Sequence, residues 1–337
     1  MAETINIGEI AQKLSKDIFK YFRWSIHPKH DDNFKCTNQE HKSEPKKGEG
    51  KTGKPKETHP GDVVFSYDDP YLGKTVYLHT DLKSYSKKSI TNVKLRGAFK
   101  SLSMTIECAQ ESNYWRDKYS VLEDEAHEVR GLLFIHNHDN KYAQSFQDAI
   151  SKMDLQNLPL PAGAIIHYLG PADIQRLYSI GNDIIRLQSD DELPKEYTYH
   201  YPDLVMVRRH GDGSKQSATI ESMTGPYLII RHAATENCAA GFLIYYNRPG
   251  SSAEEFAYFL DCLSRYQMLE AEQTIRIRVV DHEANDDLKT IFEKAKKQYA
   301  RDWGFDPARE AILNQIKIDR ITAVTNTYNP GDMGWRE

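Results

Sequence analysis

Cysteine is scarce in this chain. Its 337 residues hold four, Cys36, Cys108, Cys238 and Cys262, scattered with no framework spacing. That excludes a disulfide-stapled scaffold and fits free thiols in a reducing cytoplasm. No apolar run approaches the length of a membrane span, so no membrane helix is expected. The opening residues MAETINIGEIAQ lack a basic segment followed by an apolar one, so a secretory leader is not expected either. There is no phosphate-cradling glycine loop, no Walker motif and no internal repeat, which removes nucleotide-driven motors and repeat scaffolds. Nor does one sign of charge dominate: 44 Lys and Arg against 49 Asp and Glu leave a net −5. A nucleic-acid enzyme with that balance must cluster its basic residues.

The length suits two domains of ordinary size, and an apolar share of 39% supports proper cores. The most informative segment runs from His59 to Tyr85, HPGDVVFSYDDPYLGKTVYLHTDLKSY. Asp62 opens one apolar strand, a turn follows, and a second strand carries Asp81-Leu82-Lys83. Residues two apart on a strand share a face, so Asp81 and Lys83 project together, and a hairpin brings Asp62 beside them. Val76, Leu78 and Leu82 form the apolar face; Tyr77, His79, Asp81 and Lys83 form the other. Two carboxylates and an ammonium at one point suit phosphodiester hydrolysis, which needs acids to hold Mg²⁺ and a cation near the attacking water. The plain alternative is a turn acid after Pro60-Gly61 and an ordinary exposed strand face.

Pro60-Gly61-Asp62 and Asp81-Leu82-Lys83 resemble the motif of the PD-(D/E)XK nuclease superfamily, the restriction-endonuclease-like fold. Gly61 separates the proline from the acid, and Asp81 stands where many members have Glu. The resemblance implies an α/β fold: a restriction-endonuclease-like αβββαβ core, a mixed sheet flanked by helices, over residues 1–150. A second α+β domain, regulatory or assembling, is expected over 151–337. By resemblance, Asp62 and Asp81 are metal-binding acids, the main-chain carbonyl of Leu82 is a further ligand, and Lys83 orients the water. Mg²⁺ is the implied cofactor, with Mn²⁺ able to substitute. The first helix often adds an acid in this superfamily, which makes Glu9 the candidate and Asp17 the alternative. The implied activity is cleavage of DNA in restriction or anti-phage defence, by a cytoplasmic homodimer with a partner protein from the same operon. A catalytically silent DNA-binding or scaffold subunit is the alternative.

The remaining segments fill in this plan. Ile7, Ile10, Ala11, Leu14, Ile18, Tyr21 and Phe22 recur at helical spacing, which predicts an amphipathic helix over residues 5–24. Glu9 sits off that stripe with Lys13, and Asp17 lies nearer it. Residues 25–60 are rich in Lys, Gly, Pro and Glu and read as a mobile basic loop. Lys46, Lys47, Lys51, Lys54 and Lys56 can touch a DNA backbone there, or can be a solvated loop diluted by Glu44, Glu49 and Glu57. His27, His30, Cys36 and His41 are potential zinc ligands, but their spacing matches no common finger. After the second strand, Ser84, Tyr85, Lys87, Lys88, Lys94 and Arg96 form a candidate phosphate grip, with Lys100 equally at home on a helix surface. A helix is expected over 92–109 and a buried strand over 131–135. His136-Asn137-His138-Asp139 is not an HNH signature, and a structural or substrate-side role is favoured. In the second half, a helix follows Ser251 or Ser252 with Glu254 and Glu255 in its first turn. Phe256, Phe259, Leu260 and Leu263 read as core or as a partner surface. Arg208, Arg209 and His210 read as an exposed turn.

Overall fold

The computed structural model describes residues 13, 15–43, 53–122, 124–155, 158, 160–204, 207–270, 273–280, 284–304 and 306–324. The N-terminal helix is seen at residues 15–19. It tightens into a 3₁₀ turn at Lys20–Phe22 and ends where Arg23 becomes left-handed, with φ 61°. Lys13 is helical as well, and the rest of its expected span, Glu9 included, lies outside the described residues.

Strands β4 (Val63–Asp69) and β5 (Lys74–Tyr85) form the expected hairpin. Its turn is chemically determined. The Asp69 carboxylate accepts the N–H groups of Tyr71 and Leu72, each at 2.9 Å, and Gly73 takes φ 61°. The ladder then runs from Asp69 opposite Lys74 to Val63 opposite Thr80. One further step brings Asp62 opposite Asp81.

The first sheet has the order β1-β4-β5-β6-β7, with β1 at Ser25–Ile26, β6 at His127–Asn137 and β7 at Ile166–Leu169. β1 and β5 are antiparallel to β4, β6 is parallel to β5, and β7 is parallel to β6. The crossover from β5 to β6 is the helix Asn92–Glu111, whose first turn is capped by the Thr91 side chain. β7 lies beyond the boundary expected near residue 150 and still belongs to this sheet.

The second half builds another five-stranded sheet, in the order β12-β11-β10-β9-β8. Its strands are β8 (Tyr197–Tyr199), β9 (Tyr227–His232), β10 (Gly241–Tyr246), β11 (Thr274–Val279) and β12 (Lys317–Arg320). β8 and β10 are antiparallel to β9, β11 is parallel to β10, and β12 is parallel to β11. The helix Pro171–Ser189 precedes it, and the helix Ala253–Arg265 makes the β10-to-β11 crossover, capped by Ser252. Both sheets therefore follow the same sequence of senses: two antiparallel steps, a helical crossover, then two parallel neighbours.

The packing of the sheets is also paired. Alternate residues of the first sheet, among them Phe65, Leu78 and Phe134, share one core with Leu228, Ile230, Leu243 and Tyr245 of the second. Ile18, Phe19 and Phe22 and the helix residues Ile174, Leu177 and Ile184 lie in the same core. The outer faces are covered separately. Leu95, Phe99, Leu102 and Ile106 of the helix Asn92–Glu111 pack on Val64, Leu133 and Ile135. Phe256, Phe259 and Leu263 pack with Phe242, Ile244 and Ile277. Polar links tie the halves together: Trp24 Nε1 donates to the Ala218 carbonyl at 2.7 Å, and Arg130 Nη1 donates to Glu221 at 2.7 Å.

The segment expected as a mobile loop carries structure in its described parts. β2 (Phe34–Lys35) pairs with β3 (Thr58–His59), and Phe34, His41 and His59 are buried. Lys118 fixes its entry by donating to the carbonyls of Asp32 and Asn33, each at 3.0 Å. Lys46, Lys47 and Lys51, with Glu44 and Glu49, lie outside the described residues.

Candidate active site

The hairpin register alone would place Asp62 and Asp81 side by side. Three further contacts hold them there. The Leu82 N–H donates to Asp62 Oδ2 at 2.7 Å. Lys83 Nζ donates to Asp81 Oδ1. Gly61 packs so closely that a Cβ there would meet the Asp32 carbonyl oxygen at 2.8 Å and the Tyr119 hydroxyl at 3.1 Å. The glycine between Pro60 and the acid is thus a steric requirement of this loop.

His79 fixes the loop from the other side. Trp115 Nε1, which can only donate, gives its proton to His79 Nδ1 at 3.3 Å. The other ring nitrogen therefore carries the hydrogen and donates to the Pro60 carbonyl at 2.9 Å. Burial pushes the His79 pKa down to about 4 and keeps the ring neutral. Sequence reading put His79 on the same face as Asp81 and Lys83 but saw no task for it. Its partner Trp115 lies on the helix Asn113–Lys118, a contact invisible in local sequence.

The electrostatics of the acid pair follow from burial. Burial raises the pKa of Asp62 to about 6, and the neighbouring Asp81 adds to the rise. The Leu82 N–H and Lys83 oppose it. For Lys83, burial works against the charge, and the Asp81 and Asp62 carboxylates outweigh it, so its pKa rises and it stays an ammonium. Two acids sharing one site with a single lysine form a donor set with room for more positive charge, which a divalent cation fits.

Beside the acids lies a cleft of about 790 Å³. Lys42, Lys56, Lys83, Lys94 and Lys100 line it, and Asp81 is the one acid among its described lining residues. Gly97, Ala98 and Ser101 of the crossover helix form its small-residue wall. Tyr85 lines it as well, with Lys94 Nζ 5.6 Å from its ring centroid.

The other candidates fall in different places. Ser84 faces the opposite side of β5 from the cleft, its hydroxyl 3.2 Å from His136 Nδ1. That follows from strand alternation, which separates Ser84 from Lys83 and Tyr85. Lys87 and Lys88 are exposed on a 3₁₀ turn, and the Lys87 N–H is tied to the Asp139 carboxylate at 3.1 Å. Arg96 is half-buried, and its Nη1 is buried with no hydrogen-bond partner among the described residues. Asp17 pairs with Lys20 at 3.5 Å. Leu82 puts its side chain in the shared core. His210 lies in a docked loop, its N–H donating to the Pro70 carbonyl at 2.7 Å. Of the four sequence-based zinc candidates, Cys36 and His41 come together, while His27 packs on Tyr119.

Among the described residues no helix is long and apolar enough to cross a membrane. Neither the curated proteins nor the solved structures contain a significant match to this chain. A family described as the GAPS4 protein PD-(D/E)XK nuclease domain matches residues 1–173. That span takes in the whole first sheet, both acids and the lysine, and more than half of the 337 residues. On this match the chain belongs to the PD-(D/E)XK nucleases of the GAPS4 family.

Proposed function

We propose that this nuclease is a metal-dependent DNA endonuclease whose site is Asp62, Asp81 and Lys83. The observation that carries the reading is the acid pair opposed across one hairpin register, half-buried Asp62 beside buried Asp81, with Asp81 lining a cleft rich in lysines. In this reading Asp62, Asp81 and the Leu82 carbonyl hold the cation, Mg²⁺ with Mn²⁺ as substitute. When bound, it stabilises negative charge on the phosphoryl oxygens and the leaving group. Asp62 must then be ionised, and a cation between the acids favours that form. Lys83 orients the attacking water and meets the charge that develops on the phosphate. Lys56, Lys94 and Lys100 hold the phosphate backbone along the cleft, and Tyr85 offers a flat face for a sugar or base.

The first sheet, ending at Leu169, is the catalytic unit in this reading, and the second sheet is its rigid support. The family's association with phage defence supports that setting for the activity. Purified protein should nick or cut plasmid DNA with Mg²⁺ or Mn²⁺, stop when EDTA is added, and lose activity as Asp81→Ala. Cutting by Asp81→Ala at the wild-type rate would remove the site from this reading. Failure of the wild type to bind Mn²⁺ would favour a silent fold.

A further inference from the structure

Outside the catalytic cleft, four side chains converge on one point. Cys36 follows β2, His41 lies just beyond it, His59 ends β3, and Cys108 sits near the end of the crossover helix Asn92–Glu111. Their sulfur and ring-nitrogen atoms all lie within 4.8 Å of one another. We propose that Cys36, His41, His59 and Cys108 form a structural zinc site that clamps the segment leading to Asp62 onto the crossover helix.

The distances carry the argument. With Zn–S of about 2.3 Å and Zn–N of about 2.0–2.1 Å, a regular tetrahedron has edges of about 3.8 Å between sulfurs, about 3.5–3.6 Å between sulfur and nitrogen, and about 3.3–3.4 Å between nitrogens. The two sulfurs are 3.8 Å apart. His41 Nδ1 is 3.5 Å from each sulfur and 3.4 Å from His59 Nε2. Hydrogen bonding does not account for this arrangement. A ring nitrogen has one in-plane site, yet His41 Nδ1 meets three neighbours at nearly equal distance. Nor is the sulfur pair a disulfide, whose bond is about 2.05 Å.

The outer contacts are those of a built site. His41 Nε2 is 3.2 Å from Glu107 Oε2, and Asn38 Nδ2 donates to the other Glu107 oxygen at 2.7 Å. His59 Nδ1 is 3.3 Å from Thr105 Oγ1. Each imidazole thus has its far nitrogen engaged, one by a carboxylate, which fixes its orientation. His41, His59 and Cys108 are buried, and all four positions are filled by protein, as in structural rather than catalytic zinc sites. The site's task follows from its place: His59 is immediately followed by Pro60-Gly61-Asp62.

The test is metal content and does not depend on nuclease activity. Protein purified under reducing conditions without chelators should contain about one zinc per chain by mass spectrometry of the metals. Asp81→Ala should retain it, and Cys108→Ser should lose at least about tenfold. Co²⁺ added to the zinc-free full-length protein should give thiolate charge-transfer and tetrahedral ligand-field absorption. Cys36→His, which keeps four ligands, should keep Co²⁺ and lose part of the thiolate band, so the assignment does not rest on a variant that misfolds. Absence of zinc together with no Co²⁺–thiolate absorption would overturn the proposal, as would a metal-free Cys36–Cys108 disulfide in the purified protein.

Discussion

The hairpins β4–β5 and β9–β10 occupy the same place in their sheets, and each is followed by a crossover helix, but their open ends hold different chemistry. In the first, the ladder ends at Val63 opposite Thr80, and Asp62 and Asp81 stand just beyond. In the second it ends at Tyr227 opposite Tyr246, whose rings stack at 5.7 Å. Tyr246 donates its hydroxyl to Glu255 at 2.5 Å, and Phe256 and Phe259 of the crossover helix close over it. The facing helix of the first sheet presents Gly97, Ala98 and Ser101 and leaves a cleft. One pairing scheme therefore serves two ends: small residues and acids make a site, and aromatic rings make a core. The difference is in side-chain volume and charge, not in strand topology.

The sharpest test of that contrast is Lys83 against Tyr246. Lys83→Ala should lower the cleavage rate by about 10²–10³-fold, the usual effect of removing one group that stabilises transition-state charge. Tyr246→Phe should leave the rate unchanged and cost about 1–3 kcal/mol in stability, because the half-buried Glu255 carboxylate loses the Tyr246 donor and keeps the N–H groups of Gly250 and Ser251. Both are read by plasmid cleavage and denaturant melts. Equal losses of activity in the two variants would mean that the second hairpin takes part in catalysis.

Much of the first hairpin was legible because its determinants are local. Strand alternation put Asp81 and Lys83 on one face, and the turn between the strands brought Asp62 beside them; the contacts of Asp69 and the left-handed Gly73 that set the register came from the structure. The helix after Thr91 and the cap near Ser252 were readable for the same reason. The likeness of the two sheets was not, because strand sense is a long-range property and the two hairpins share no motif. Composition missed the order in the described parts of residues 25–60, which comes from distant partners: Lys118 on the Asp32 and Asn33 carbonyls, and Cys108 beside Cys36. His79 was placed on the correct face, but its task depends on Trp115.

Asp62→Asn should separate catalysis from stability. The acid's pKa rises from its ordinary 3.8 to about 6 in the folded chain. Between those values the native state binds more protons than the unfolded one, so stability falls as pH rises from about 4 to about 6 and then levels off. At pH 7 the ionised acid therefore opposes folding, by about 1–3 kcal/mol. Asparagine keeps an acceptor for the Leu82 N–H and removes the like charge. Its metal-free melting temperature should exceed wild type at pH 7 and match it near pH 4, while cleavage is lost. A variant less stable than wild type at pH 7 would show that the carboxylate itself holds the loop.

Gly97→Phe transplants the second sheet's solution into the first. It adds a ring to the cleft wall and removes no hydrogen bond. The helix should gain up to about 1 kcal/mol from losing an interior glycine. Affinity for duplex DNA should fall by about tenfold, or about 1.4 kcal/mol. Fluorescence anisotropy with Ca²⁺ in place of Mg²⁺ reads the binding without cleavage. Unchanged affinity would mean that DNA does not enter this cleft.

The smallest effects belong to the lysines. Lys94 and Lys100 line the cleft and are exposed, so each should act as a point charge on the phosphate backbone and not as a reader of bases. Lys94→Ala and Lys100→Ala should weaken DNA binding alike for all sequences. Each should flatten the dependence of log affinity on log salt by about 0.9, the loss of one phosphate contact. The Lys94 change should also free Tyr85, whose ring it overlies, and so add a small loss for single-stranded ends. Lys289 is the control from the other half: it is also exposed, but it pairs with Asp319 of the second sheet at 2.7 Å. Lys289→Ala should leave the salt slope untouched. If it flattens the slope as much as Lys94→Ala does, the DNA path runs over both sheets, and the second half is a binding surface as well as a support.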